Sequence, residues 1–131
     1  MRVASCGCGA VTAACAGEPV RISVCHCLAC QRRSGSAFAS QARFADADVV
    51  TSGETGSWQR RGDEGGVGTF HFCTACGSTV WYTLDSQPGL VAVPVGAFAD
   101  PRAFGPPIYS VYEGRKFDWV TVDAPGMEHF D

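Results

Sequence analysis

Seven of the eight cysteines in this 131-residue chain stand in three tight groups, and their spacing is that of metal ligands. The groups are Cys6-Gly7-Cys8-Gly9, Cys25-His26-Cys27-Leu28-Ala29-Cys30 and Cys73-Thr74-Ala75-Cys76-Gly77, while Cys15 stands alone. Cysteines one or two residues apart can bring their sulfurs around one ion if the backbone turns tightly. Gly7, Gly9 and Gly77 stand where such a turn needs a positive φ or backbone N–H groups close to sulfur. Spacing alone does not say which groups share an ion. Coordination number narrows the choice, because a closed structural zinc takes four protein ligands and a catalytic zinc three plus an exchangeable position. Cys6 and Cys8 with Cys73 and Cys76 make a closed set, which leaves Cys25, Cys27 and Cys30 as an open one.

The open set has a chemistry of its own. Three thiolates on a divalent ion leave a net negative charge, so the ion polarises water less than zinc held by neutral histidines. It suits a fourth sulfur instead, because coordination deprotonates an incoming thiol at neutral pH. A thiolate held there could add to a carbonyl carbon, and the reverse step breaks a carbon–sulfur bond, which is the reaction of a carbon–sulfur lyase.

Several neighbours admit two readings. Arg32 and Arg33, directly after Cys30, could grip the carboxylates of a bound ligand or form an ordinary solvated pair. His26 lies between two ligands, but on a strand its side chain points away from theirs, which favours a structural role. His71, between Phe70 and Phe72, reads as a polar-face residue, and Cys15, between two alanines, as a small buried hydrophobe. Ser34-Gly35-Ser36 could offer N–H donors to an anion or simply turn the chain.

These residues must be positioned by short strands, since the chain reads as mainly β with little helix. Val20, Ile22 and Val24 alternate with Arg21, Ser23 and Cys25, a strand running into the central cysteines. Leu28 to Arg33 can form one helical turn. Further strands are expected at 37–44, 49–51, 57–61, 67–73, 78–84, 90–95, 109–112 and 117–122, separated by turns rich in Gly, Asp and Pro. No repeat or linker divides the chain, so residues 1–131 are expected to form one domain.

Composition removes whole classes of function. The longest apolar stretch, Gly89 to Ala99, is broken by Pro94 and is shorter than the roughly 20 residues a membrane helix needs. The first cysteine motif begins at Cys6 and leaves no room for a secretory apolar region, so the cytosol is the expected compartment. Thiols there stay reduced, which favours metal over disulfides. The formal charge of −3 and a pI of about 5.5 argue against a nucleic-acid partner, and thiolate-bound zinc makes the chain more acidic still. A non-catalytic two-zinc protein-binding module remains the alternative. A cysteine redox enzyme such as a methionine sulfoxide reductase ranks third, because it needs a reactive cysteine free of metal and only Cys15 is left.

Taken together, Cys6-x-Cys8-Gly9, Cys25-His26-Cys27-x-x-Cys30 with Gln31 to Phe38, and Phe70-x-Phe72-Cys73-x-x-Cys76-Gly77-Ser78 give the pattern a family. The chain resembles the glutathione-dependent formaldehyde-activating enzymes, whose domain also occurs in centromere protein V. The resemblance implies a zinc-stapled β-tent of short antiparallel sheets. It implies a structural zinc at Cys6, Cys8, Cys73 and Cys76 and a catalytic zinc at Cys25, Cys27 and Cys30. It also implies glutathione and formaldehyde as substrates, joined as S-hydroxymethylglutathione. The chain looks shorter than the founding enzymes, so fold and metal carry over better than substrate.

Overall fold

A computed structural model describes residues 1–100 and 102–131. The fold is mainly β, with one short helix. A three-stranded antiparallel sheet is built from β1 (Arg2–Ser5), β2 (Thr12–Cys15) and β5 (Val49–Ser52), in the order β1-β2-β5. The larger sheet uses β3 (Arg21–Cys25), β4 (Ala39–Ala45), β6 (Thr55–Arg61), β7 (Val67–Cys73), β8 (Thr79–Leu84), β9 (Leu90–Pro94), β10 (Tyr109–Val111) and β11 (Glu128–His129). Its order is β11-β10-β3-β4-β9-β8-β7-β6. Pairing is antiparallel except at one edge, where β10 runs parallel to both β3 and β11. Among the described residues no helix is long and apolar enough to cross a membrane.

Alternation along the central strands decides what each face does. Ile22 of β3, Ala42 and Phe44 of β4, and Val91 and Val93 of β9 face the small sheet, where Ala4, Ala13 and Cys15 meet them in the principal core. Their neighbours Ser23, Cys25, Gln41, Arg43 and Ala92 therefore take the opposite face. That face is covered too, so β3 and β4 are buried on both sides although only one side is apolar. In β8 the ladder slips between His71 and Phe72: Thr79 and Trp81 have partners on β7 and Val80 between them has none. The slip lets Val80 enter the principal core while Tyr82 stacks on Phe70 on the other side.

Three sequence expectations need correction. Residues 2–5 and 12–15 form strands that the sequence did not announce, because small residues such as Ala4, Ala13 and Ala14 have little strand preference and pair only when the large sheet supplies a surface. Residues 117–122 form no strand: Val120 N–H bonds back to Phe117 O at 3.0 Å, closing a turn, and Phe117 stacks on Trp119. Gly7 does not have a positive φ, whereas Gly9 (φ 82) and Gly77 (φ 83) do.

Candidate metal centres and the adjoining cleft

The first cysteine group lies in the connection between β1 and β2, and Cys73 ends β7 just before the turn that carries Cys76. The fold brings these two loops together. The four sulfurs lie within 4.8 Å of one another, with Cys6 to Cys8 and Cys8 to Cys73 each at 3.7 Å. A tetrahedron with metal–sulfur bonds of about 2.3 Å has edges of about 3.8 Å, so the set fits a thiolate-bound ion. Backbone amides point at the sulfurs: Val11 N–H donates to Cys6 at 3.3 Å and Ala75 N–H to Cys73 at 3.3 Å. The Val11 amide draws the Cys6 thiol down, and the Ser78 hydroxyl draws Cys76 to about 5. Cys8 goes the other way: the Ala10 amide lowers it, but the crowded Cys6 and Cys73 sulfurs push it up to about 11. Four thiolates this close repel unless a cation joins them.

The second group is set by a strand end and a helix start. Cys25 closes β3, and Cys27 caps α1 (Leu28–Ser34), its sulfur accepting from Cys30 N–H at 3.3 Å. One helical turn then returns Cys30 to the same side. Gln31 secures the bend by donating Nε2 to His26 O at 2.8 Å and Arg115 O at 3.0 Å. The sulfurs of Cys25, Cys27 and Cys30 lie within 4.8 Å of one another, and among the described residues no His, Asp or Glu completes the group. Hydrogen bonds from Cys25 and Cys30 favour the thiolate at Cys27, while Cys25 is pushed far up by the same contacts. His26 is fully buried and turned away, its Nε2 3.0 Å from Ser110 Oγ, with Nδ1 lacking a partner. His71 stacks on Trp81 at 3.7 Å, and Cys15 is buried in the core.

The two groups differ in what lies beside them. Cys25, Cys27 and Cys30 line a cleft of about 1050 Å³, whereas the four-cysteine group lines neither this cleft nor the smaller hollow. Val111 and Tyr112 pack against the three-cysteine cluster. Tyr112 holds a left-handed backbone (φ 56), a strained state for an aromatic residue, of the kind that accumulates at functional sites. Arg33 is not among the residues that line the cleft, but its guanidinium lies 5.1 Å from the Tyr82 ring and 5.3 Å from the Phe70 ring, both of which do. Arg32 goes elsewhere: it lines a shallower hollow of about 540 Å³ with Leu28, Phe117 and Trp119.

The chain that carries these two cysteine groups matches a known family over most of its length. The model of the glutathione-dependent formaldehyde-activating enzymes matches residues 1–115. The chain belongs to that family. Membership places its function at family level, in glutathione-dependent formaldehyde activation or a related activity. A solved protein of Rhodobacter sphaeroides is similar to this family member, with 25% identity, a TM-score of 0.60, and 76% of this chain and 92% of that one covered. No curated protein matches.

Sequence reasoning missed the rest of the cleft: Ser23, Gln41, Arg43, Arg60 and Tyr112 all line it. One signal was present. Arg21 and Ser23 share a strand face with Cys25, so the polar side of that strand had to lie on the side of the cysteines rather than in open solvent.

Proposed function

We propose that the chain binds two zinc ions and works as a carbon–sulfur lyase on a thiol adduct, with glutathione and formaldehyde as the reacting pair. Cys6, Cys8, Cys73 and Cys76 would hold the structural ion, and Cys25, Cys27 and Cys30 the catalytic one. One observation carries the reading: three sulfurs converge beside a cleft of about 1050 Å³, and among the described residues no fourth protein donor joins them. Zinc bound there supplies a soft cation that favours the thiolate form of an incoming thiol.

The chain's own groups do the rest. Val111 and Tyr112 pack apolar surface against the sulfurs, which limits water at the reacting carbon. Tyr112, packed against the sulfurs at the cleft wall, carries a hydroxyl able to donate. Arg33, with Nε lacking a protein partner, supplies positive charge at the aromatic wall for a ligand carboxylate. Adduct formation joins the thiol sulfur to the carbonyl carbon, and the thiol's proton ends on the carbonyl oxygen. The reverse breaks that bond and returns both reactants with no net electron transfer. Cysteines committed to metal rather than to disulfides fit a reducing compartment such as the cytosol.

The test is cobalt substitution followed by addition of glutathione. An open three-cysteine site changes its visible spectrum and releases a proton, whereas a closed one ignores the thiol. Exchange of formaldehyde with its glutathione adduct, followed by NMR, should run faster with protein than with buffer. A silent spectrum in fully metallated protein would favour the second reading, a two-zinc protein-binding module. That reading has its own support in the exposed Leu28 of α1 and in Phe117 and Trp119, which line the same hollow, Trp119 being 75% exposed.

A further inference from the structure

Arg43 and Arg60 bring positive charge to the cleft with no carboxylate paired to either. Arg43 of β4 is 7% exposed, and its one protein hydrogen bond among the described residues goes to a neutral group, Nη1 donating to Ser23 Oγ at 2.8 Å. Arg60 of β6 sets its guanidinium over the Phe70 ring at 5.3 Å, and its buried Nε has no partner. The ion pairs among the described residues use Arg2, Arg102, Arg115 and His129 instead. A buried charge is unfavourable unless an opposite charge offsets it.

The opposite charge within reach is sulfur. Ser23 and Cys25 share a face of β3 two residues apart, about 7 Å along the strand, so the hydroxyl that holds Arg43 stands beside the first cysteine of the group. Burial lowers the Arg43 pKa, and Tyr82, Cys25 and Cys30 are among the groups that raise it again. On the aromatic wall, Phe70 stacks on Tyr82 at 4.8 Å and Arg33 of α1 lies over both rings, which places Arg60 and the helix that carries Cys30 against the same pair. The Cys27 thiol, drawn down first by hydrogen bonds from Cys25 and Cys30, is drawn down further by the Arg60 charge.

Net charge decides what such a centre can accept. Three thiolates leave a divalent ion with a net negative charge, and a thiolate as fourth ligand doubles it, whereas a neutral donor adds none. Without an offset, a three-sulfur centre in a partly buried cleft resists the anionic ligand more than the neutral one. We infer that Arg43 and Arg60 are charge-balancing residues of the three-cysteine centre, and that they make its fourth position favour a thiolate over a neutral donor. Asp63, Glu64, Glu128 and Asp131 also line the cleft, with Asp63 paired to Arg115 at 3.3 Å, and their negative charge makes a cationic offset near the sulfurs the more necessary. Charge acts over distance, so the role requires neither arginine to touch the thiol. The inference rests on the metal-bound open site of the proposed function, and not on what else the thiol carries or on the reaction.

The cobalt-loaded protein, titrated with 2-mercaptoethanol as a thiol without a carboxylate and with imidazole as a neutral donor, reads the preference in its visible spectrum. Wild type should bind the thiol. Arg43→Met should weaken thiol binding by about fivefold or more while leaving imidazole binding unchanged or tighter, and Arg43→Lys, which keeps the charge, should restore most of the thiol affinity. Arg60→Met, a change on the edge strand of the large sheet, should shift the ratio the same way and keeps the inference open to test if Arg43→Met does not fold. Equal loss of both ligands marks a purely structural arginine and overturns the inference, as does unchanged thiol affinity in either folded variant. A wild type that binds imidazole but not the thiol overturns the charge assignment while the open site stands, and a spectrum silent to both overturns the two together. Arginine-dependent thiol binding with formaldehyde exchange at the buffer rate keeps the inference and removes the lyase reading.

Discussion

Cys8 Sγ and Cys73 Sγ lie 3.7 Å apart although 65 positions separate them in the chain. Whatever ion joins them ties the β1–β2 loop to the β7–β8 turn, and so the small sheet to the large one. In small zinc domains such a site supplies folding free energy on the order of 10 kcal/mol, as much as a domain's whole net stability. Cys73→Ser should therefore unfold or aggregate the protein. A cooperative thermal transition close to that of wild type would show that the four sulfurs do not form the structural site.

Cys27→Ser should behave differently. Cys27 caps a seven-residue helix beside the cleft, and the connection between the two sheets does not pass through it. The variant is expected to keep its far-ultraviolet spectrum, lose about one metal ion per chain by elemental analysis, and lose the cobalt response to glutathione. Loss of both ions would mean that the two centres are not independent.

Arg32 and Arg33 are adjacent in sequence but serve different surfaces. Arg33 lies over Phe70 and Tyr82, which line the cleft, while Arg32 lines the hollow with Trp119. Arg33→Ala should weaken glutathione binding about tenfold, or about 1.4 kcal/mol, with little change for 2-mercaptoethanol. Arg32→Ala should change neither. Calorimetric titration separates the outcomes, and an equal loss from both variants would count against the assignment of Arg33 alone.

The C-terminal strand is held by a titrating pair. His129 Nδ1 lies 2.6 Å from Glu113 Oε2, and its Nε2 lies 3.3 Å from Asp123 Oδ1. The hydrogen bond to Glu113 raises the His129 pKa above its ordinary value of about 6.5. Burial would raise Glu113, but the hydrogen bonds with His129 and Ser110 outweigh it and hold the carboxyl below its usual range. The histidine's contribution is thus complete below about pH 6.5 and is lost as pH rises through its raised folded value. The carboxylate's contribution is complete above its unfolded pKa and is lost as pH falls through its lowered one. β11 should be most firmly docked in weakly acidic solution and loosen toward alkaline pH. Amide exchange at Phe130, whose N–H bonds Ser110 O at 2.8 Å, is the readout. A His129→Gln variant should remove the pH dependence, and a wild-type rate that tracks only the chemistry of exchange would show that the pair does not hold the strand.

The cysteine spacing could be read before any fold was known, because ligands for one ion cluster within a few residues and glycine marks the turns that let them converge. Alternation did the same for β3, and turn signals on either side did so for β4, β7 and β9. The pairing of Cys6 and Cys8 with Cys73 and Cys76 followed from ligand number, and the fold brings the same four sulfurs together.

What the sequence could not show was the far side of the large sheet. Polar residues alternating with apolar ones ordinarily face water. Here that face lines a cleft together with residues of α1, β6, β7, β8, β10 and β11, and Ser23, Gln41 and Arg43 are buried in it. Whether Tyr82 joins them depends on the unpaired Val80, a one-residue slip that exchanges the faces of β8 and leaves no trace in local composition. Ligand identity and turn position are local properties, set by residue type and short spacing. Burial and charge balance arise from which distant strands cover a face, so only the assembled tertiary structure decides them.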